Sequence, residues 1–270
     1  MPELPEVETT RRGLAPLVER ERIAAITVRQ RGLRWPVPIE VDGLGGEVIH
    51  ALERRAKWLI WHLDSGCLLW HLGMSGSFRG WLDAPAPGPH DHVDVQMAGG
   101  YLVRYTDPRR FGALLYCAGS PLEHPRLAGL GPEPLGDRFD GDHLWQRSRG
   151  RRAPVKSFIM DSRIVVGVGN IYASEALFDA GIHPTRPAGR ISRERYHRLA
   201  GTIRATLAAA IEVGGTSLRD FTVGDGTPGY FGQSLKVYGR EGQPCPGCGA
   251  AVRRKVVGQR STFYCPVCQT

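Results

Sequence analysis

The sequence predicts an α+β protein of two domains: an antiparallel β-sandwich led by an N-terminal helix, then a helical domain closed by a metal-bound β-hairpin. Three observations predict it. Seven short β-type runs crowd residues 22–116 with no long helix between them, the pattern of a sandwich or barrel. Beyond the first 20 residues, the best helix candidates are 167–182 and 192–215. Four of the six cysteines fall after residue 244, as two CxxC pairs.

Residues 1–20 open with a helix. Leu4, Val7, Arg11, Leu14 and Val18 recur at spacings of three and four, which places them on one face. Pro5 suits a first helical position, and Glu6 and Glu8 favour the positive end of the helix dipole. Pro16 is expected to end or kink this helix.

The strands follow as RIAAITVR, EVIHALER, KWLIWHL, CLLWHLGM, HVDVQM, YLVRYT and FGALLY, separated by Gly, Pro and Asp. APAPGPHD at 84–91 reads as a loop. Cys67 and Cys117 stand in apolar runs and read as buried core thiols.

Residues 129–142 are turn-rich and poor in apolar periodicity. We divide the chain into a β-sandwich at 1–130, a linker at 131–150, a helical domain at 151–223, a Gly-rich loop at 224–236 and a cysteine-bearing hairpin at 237–270. In the second long helix Tyr196, Leu199, Ile203, Leu207 and Ile211 repeat at helical spacing, with Ser192 as N-cap and Gly214 as stop.

Composition bounds the function. With 41% hydrophobic and 23% charged residues in 270, the chain is not a disordered one. Gly and Pro supply 55 residues, which argues against a long helical bundle. The net charge of +8 suggests an anionic partner, nucleic acid being the commonest. There is no run of 18 apolar residues for a membrane span, and MPELPEVETT lacks the apolar core of a signal peptide. A cytoplasmic protein is the expectation.

Cys245 and Cys248, then Cys265 and Cys268, are separated by 16 residues. Each pair offers two thiolates from a tight turn, and the insert is long enough for a hairpin. Four thiolates suit one tetrahedral Zn²⁺, and a closed four-cysteine site is structural rather than catalytic. Disulfides or redox dithiols fit such a chain less well. Residues 244–270 carry Arg253, Arg254, Lys255 and Arg260 and no Asp or Glu. Such a hairpin reads as a phosphate-backbone binder, the plainer alternative being a solvated charged surface.

Met1 before the small Pro2 is normally removed, which exposes a secondary amine. An α-amino group titrates at about 7.7–8.0, so a useful fraction is neutral near pH 7. Its attack on an aldehyde-like carbon gives an iminium ion that has no N–H proton to lose, a good electron sink for elimination. Glu3 stands beside it as a general acid or base. Many chains begin Met-Pro, however, and this feature alone proves little.

MPELPEVETTRRGL, HLGMSGS, HDHVD, RYTDPRRFGA, GLGPEPL, VVGVGNIYASEALF, AGIHP, PGYF and the closing cysteine motif run in order from residue 2 to residue 268. Together they are similar to the bacterial formamidopyrimidine-DNA glycosylase family. The resemblance implies a helix–two-turns–helix element in the second domain. It implies an enzyme that excises oxidised purines, chiefly 8-oxoguanine opposite C and formamidopyrimidines, and then cuts the strand by β- and δ-elimination. Pro2 matches the Schiff-base nucleophile, Glu3 its acid/base, Lys57 a proton donor in β-elimination and Arg260 the arginine of δ-elimination. Met74, Arg109 and Phe111 match the side chains that fill the hole left by the flipped nucleotide, with Arg109 able to donate to the orphaned cytosine.

Asn170 follows the turn GVG at a helix start, a ready phosphate site, and matches the family's phosphate-binding asparagine. His90 and Arg151 match further DNA contacts. Arg147, Arg149, Arg151, Arg152 and Lys156 form an acid-free basic strip. A metal on His90, His92, Asp91 and Asp94 is not favoured. Residues 217–236 match a loop that closes over the flipped base. The implied partner is double-stranded DNA bearing an oxidised base. The chain is expected to act as a monomer with one structural zinc, without a nucleotide cofactor or membrane, in the cytoplasm and at the nucleoid through DNA. Two alternatives remain: an endonuclease VIII-like enzyme for oxidised pyrimidines, against which PELPEVET argues, and a non-catalytic damaged-DNA-binding zinc protein.

Overall fold

The computed structural model describes residues 2–214, 222–223, 227–228 and 235–270. The chain divides into two compact units, Met1–Ala128 with Gly214–Tyr230, and Gly129–Val213 with Phe231–Thr270.

The first unit opens with helix α1 (Leu4–Val18). Glu3 is its N-cap in extended conformation, and the Glu3 amide donates to Glu6 Oε2 at 2.8 Å. That bond satisfies one of the backbone donors a helix start leaves open. Leu4, Val7, Leu14 and Val18 are buried along the predicted face. Pro16 stands in the last turn, and the helix runs only two residues past it.

Two four-stranded antiparallel sheets follow. The first has the order β1 (Ile23–Val28), β6 (Asp91–Met97), β7 (Leu102–Thr106), β5 (Ser77–Trp81). The second has the order β2 (Ala51–Arg55), β3 (Trp58–His62), β4 (Cys67–His71), β8 (Ala113–Cys117). The seven sequence runs supply every strand except β5. That strand reads SFRGW, and its Arg and Gly dilute the β pattern at a sheet edge, where packing demands less. The sheets share one core. Trp61 and Trp70 of the second sheet meet Phe78 of the first at ring-centroid distances of 5.9 and 4.9 Å, and Trp70 meets Tyr105 at 5.3 Å. Truncating a fully buried aromatic such as Trp70 to Ala costs about 3–5 kcal/mol.

Strands β4 and β8 are neighbours whose register runs from Cys67↔Cys117 to His71↔Ala113. The turn leaving β4 and the turn entering β8 therefore meet at one end of the ladder. At the other end the expectation of two buried thiols needs correcting: Cys67 is buried but Cys117 is half-buried. Cys117 closes an edge strand, with one flank unpaired.

The second unit is built from α2 (Gly141–Ser148), α3 (Val155–Ile159), α4 (Asn170–Asp179) and α5 (Arg193–Glu212). Residues 131–150, expected as a linker, contain α2. Asp140 caps that helix by accepting from the His143 amide at 2.7 Å. Phe139 and Leu144 are fully buried in a core they share with Tyr196, Leu199 and Ile203 of α5. The short helix escaped the sequence reading because eight residues show too few apolar repeats. Helix α5 begins and ends where expected: Ser192 Oγ accepts from the Arg195 amide at 3.3 Å, and Gly214 has φ +80° beyond its last turn.

A short antiparallel pair, β9 (Thr222–Val223) and β10 (Thr227–Pro228), precedes the closing hairpin. That hairpin joins β11 (Arg253–Val257) to β12 (Arg260–Tyr264). Its two-residue turn, Gly258-Gln259, has positive φ at both positions, as a type I′ turn requires. Gln269 fastens the module to the turn after α4: its Nε2 donates to Ile182 O at 2.9 Å while its Oε1 accepts from the Cys265 amide at 2.8 Å. The loop expected to close over a flipped base, 217–236, lies outside the described residues apart from the backbone of 222–223 and 227–228 and residues 235–236. Among the described residues no helix is long and apolar enough to cross a membrane.

Candidate functional site

In the first unit Pro2 is buried just ahead of α1, and Glu3 and Glu6 are 1% and 0% exposed. Two buried carboxylic side chains at a helix N-terminus are tolerable because the open amides and the helix dipole favour negative charge there. Lys57 occupies the two-residue turn between β2 and β3, half-buried, after Ala56 in the left-handed region at φ 57°.

Met74, Arg109 and Phe111 come together on two turns. Met74 and Phe111 are 39% and 46% exposed. The Arg109 guanidinium lies 5.0 Å from the Phe111 ring centroid, a cation–π contact. Asp107 holds both turns. Its Oδ1 accepts from Ser75 Oγ at 2.6 Å and from the Arg109 amide at 3.3 Å. Its Oδ2 accepts from the Gly112 amide at 2.8 Å and from Tyr105 OH at 3.3 Å. Gly73 has φ +63°, and a Cβ there would lie 2.3 Å from the Phe111 carbonyl carbon, so the two turns pack backbone to backbone.

His71 ends β4 beneath this group. Its Nδ1 accepts from the Gly73 amide at 2.9 Å, which places any single ring proton on Nε2. Burial pushes its pKa down to about 4, helped by the positive charges of Arg34 and Lys57 and opposed by Asp107. The ring is therefore neutral at pH 7. An open hollow of about 610 Å³ is lined by Leu33, Arg34, His71, Met74 and Phe111 among others. Trp35 makes cation–π contacts with Arg34 at 4.7 Å and Arg126 at 3.9 Å.

His90 is exposed at the entry to β6, and its carbonyl accepts from the Asp107 amide at 3.0 Å. Its neighbours make a hydrogen-bonded network instead of a metal site. His92 Nε2 bonds the Asp107 carbonyl at 2.7 Å. Asp94 accepts from both Arg104 and Arg29, which hold its carboxyl below the usual range against the opposing effect of burial.

In the second unit Asn170 is the first residue of α4. Its Oδ1 accepts from Lys156 Nζ at 2.7 Å and its Nδ2 donates to Ser261 O at 3.0 Å. Lys156 Nζ also reaches Thr262 Oγ1 at 2.9 Å. The strip read from sequence is thereby corrected. Lys156 is 1% exposed and joins α3, α4 and the hairpin. Arg149 is exposed like its neighbours, but its guanidinium is engaged within the protein, donating to Trp145 O, Ser148 Oγ and Ile191 O. Arg147, Arg151 and Arg152 remain exposed. Arg260, the first residue of β12, is exposed beside the hairpin turn.

The four cysteine sulfurs lie within 4.8 Å of one another. Cys245 and Cys268 are 3.8 Å apart and Cys248 and Cys265 3.5 Å. Tetrahedral Zn²⁺ with Zn–S of about 2.3 Å implies sulfurs about 3.8 Å apart, so the cradle fits the ion. The amides of Gly247 and Cys268 point at Cys245 Sγ and Cys265 Sγ, each at 3.4 Å, as suits thiolate ligands. Among the described residues this is the one cluster able to hold a metal.

The sequence reading missed His71 and Asp107. His71 lies in an ordinary strand run, and Asp107 in the Asp-Pro of a turn, so neither carries a signal of its own.

Residues 1–114 match the formamidopyrimidine-DNA glycosylase N-terminal domain, 130–222 the H2TH domain of the same enzymes, and 242–270 a zinc finger found in FPG and IleRS. A formamidopyrimidine-DNA glycosylase of Alkalilimnicola ehrlichii is 60% identical, with all of both chains covered. The complex of the Lactococcus lactis FPG mutant G226P with Fapy-dG-containing DNA matches at TM-score 0.92 and 33% identity over all of both chains. A structure of MutM with DNA containing carbocyclic 8-oxo-G matches at TM-score 0.90 and 33% identity, again over all of both chains.

Proposed function

This chain belongs to the formamidopyrimidine-DNA glycosylase family, and from that premise we propose how its own residues excise an oxidised purine and cut the strand. It is a DNA glycosylase and AP lyase of base excision repair, acting on double-stranded DNA that carries 8-oxoguanine opposite C or a formamidopyrimidine.

Removal of Met1 frees the Pro2 amine. It attacks the sugar carbon that bears the damaged base, the base departs with its bonding pair and the amine gives up its proton; the bond from that carbon to the ring oxygen then breaks, the oxygen takes a proton, and an iminium ion links enzyme and opened sugar. The fixed positive charge acidifies the neighbouring C–H, so the phosphate beyond it is eliminated, and a second elimination removes the other phosphate. Glu3 moves protons at the sugar, Lys57 supplies one in β-elimination and Arg260 assists δ-elimination. Met74 and Phe111 fill the vacated stack while Arg109 donates to the unpaired cytosine. Asn170, His90 and Arg151 bind the backbone. A bound zinc contributes folding energy to the hairpin that presents Arg260. One copy serves one lesion, without a nucleotide cofactor, in the cytoplasm and at the nucleoid.

The observation that carries the catalytic assignment is the start of α1. Pro2, Glu3 and Glu6 are buried together, and the Glu3–Glu6 hydrogen bond fixes the backbone on which Pro2 rides. A nucleophile held this way loses little freedom on reaching the transition state. The test is borohydride trapping on a duplex with one 8-oxoguanine opposite C, with mass spectrometry of the linked peptide. A link at Pro2 is expected. An intact lesion strand with nothing trapped, or a link at a lysine, overturns the assignment.

A further inference from the structure

We propose that Cys67 and Cys117 form an oxidation site, a cross-strand dithiol that a hydroperoxide converts into a disulfide bridging β4 and β8. The two residues face each other directly in the antiparallel register of these strands. Opposed residues have Cα atoms about 4.5 or about 5.5 Å apart, depending on the pair type. Disulfides span Cα separations of about 4.4–6.8 Å. Side chains of an opposed pair also leave the same face of the sheet. Either pair type therefore falls within the Cα range of a disulfide, and the two thiols already touch, since Cys117 hydrogen-bonds Cys67.

The environments of the two sulfurs set the order of events. Cys67 is 1% exposed. Burial, with the adjacent Cys117, pushes its thiol up to about 12, so it stays protonated and does not meet the oxidant first. Cys117 is half-buried at the end of an edge strand, its sulfur 3.5 Å from Gly119 O and 3.7 Å from Ser120 O. The Cys117 sulfur takes the terminal oxygen of the hydroperoxide, the O–O bond breaks, and the departing alkoxide takes up the Cys117 proton to leave as an alcohol. Cys117 is then a sulfenic acid. The Cys67 sulfur attacks the Cys117 sulfur, the Cys67 proton joins the departing hydroxide, and water leaves. Two thiols lose two electrons and two protons, and one hydroperoxide becomes one alcohol and one water.

The zinc cysteines belong to the second unit, so this pair is a separate thiol system. The bridge staples edge strand β8 to its neighbour β4. At the opposite end of the same ladder these strands lead into the turns that carry Met74 and Phe111. Closing the long loop from residue 67 to residue 117 also restricts the unfolded chain.

The experiment treats the zinc-loaded full chain with hydrogen peroxide, blocks remaining thiols, and maps the digest by mass spectrometry without reductant. The expected product joins the Cys67 and Cys117 peptides, lighter by two hydrogens, and dithiothreitol reverses it. The oxidised form melts a few degrees higher. In Cys117→Ser, a near-isosteric change at a half-buried position, Cys67 stays an unlinked thiol at the same dose. The proposal is overturned if wild-type Cys67 remains a free thiol while Cys117 is untouched or advances to sulfinic acid. It is equally overturned if either residue pairs with a zinc cysteine instead.

Discussion

The hydroxyl of Ser75 donates to Oδ1 of Asp107 at 2.6 Å, and this bond ties the turn bearing Met74 to the turn bearing Arg109 and Phe111. The same fully buried carboxylate accepts from the Arg109 and Gly112 amides. On the proposed reading Met74, Arg109 and Phe111 enter a base stack and must resist being pushed back, and one carboxylate holds both turns that carry them.

Asp107→Asn tests that arrangement. Each oxygen of Asp107 accepts from a backbone amide, Oδ1 from Arg109 and Oδ2 from Gly112, so the amide nitrogen of Asn faces an N–H wherever it points. A buried polar group left unsatisfied costs about 1–3 kcal/mol. We expect a lower thermal midpoint and single-turnover excision of 8-oxoguanine slowed about tenfold or more. Cleavage at a preformed abasic site is expected to suffer less, since no base has to be expelled from the stack. Equal losses on both substrates would count against a role in flipping.

Arg149 spends its guanidinium on three hydrogen bonds within the protein, and we expect this to separate it from its neighbours in DNA binding. Each phosphate contact contributes about 0.9 to the log–log salt slope. Arg151→Ala is expected to reduce the slope by about that amount. Arg149→Ala is expected to leave the slope alone and lower stability, since its guanidinium holds Trp145 O, Ser148 Oγ and Ile191 O. Binding titrations across salt concentrations decide between the two patterns.

Zinc removal acts locally. Chelation or Cys248→Ser is expected to unfold the hairpin, abolish DNA binding and stop Arg260-dependent δ-elimination. It also strips Lys156 of its Thr262 partner and Asn170 of its Ser261 partner, loosening the start of α4. The first unit keeps its own core, so its tryptophan fluorescence should remain native. Loss of that signal on chelation would show the units to be one cooperative block.

His71 makes stability pH-dependent. Its pKa falls from 6.5 to about 4 in the fold. Between those values the unfolded chain takes up a proton that the folded chain refuses, so lowering the pH favours unfolding. The neutral ring contributes fully above pH 6.5, and that contribution is lost as pH falls through about 4. Each unit of separation corresponds to about 1.4 kcal/mol. Denaturation midpoints measured across this window should slope for the wild type, and less for His71→Gln.

Much of the architecture was legible because it rests on local rules. The spacing of Tyr196, Leu199, Ile203, Leu207 and Ile211, with Ser192 before and Gly214 after, specifies α5 without its neighbours. The two CxxC pairs specify a four-sulfur cradle in the same way. Strand β5 and helix α2 were not legible. Each is short, and each is held by partners remote in sequence: β5 by pairing with β7, α2 by packing against α5.

By itself the sequence determined which chemistry the chain possesses: a Pro-Glu start, a Met, Arg and Phe set, four thiols and an excess of positive charge. Only the tertiary structure decided where each group is directed. Lys156 and Arg151 look alike as letters in one basic strip, yet one is buried on Asn170 and Thr262 while the other faces solvent. Asp107 is a turn residue in the sequence and the shared anchor of two turns in the fold. The reason is physical. Periodicity, capping and ligand spacing act over a few residues, whereas burial and hydrogen-bond partnership depend on segments brought together from far along the chain.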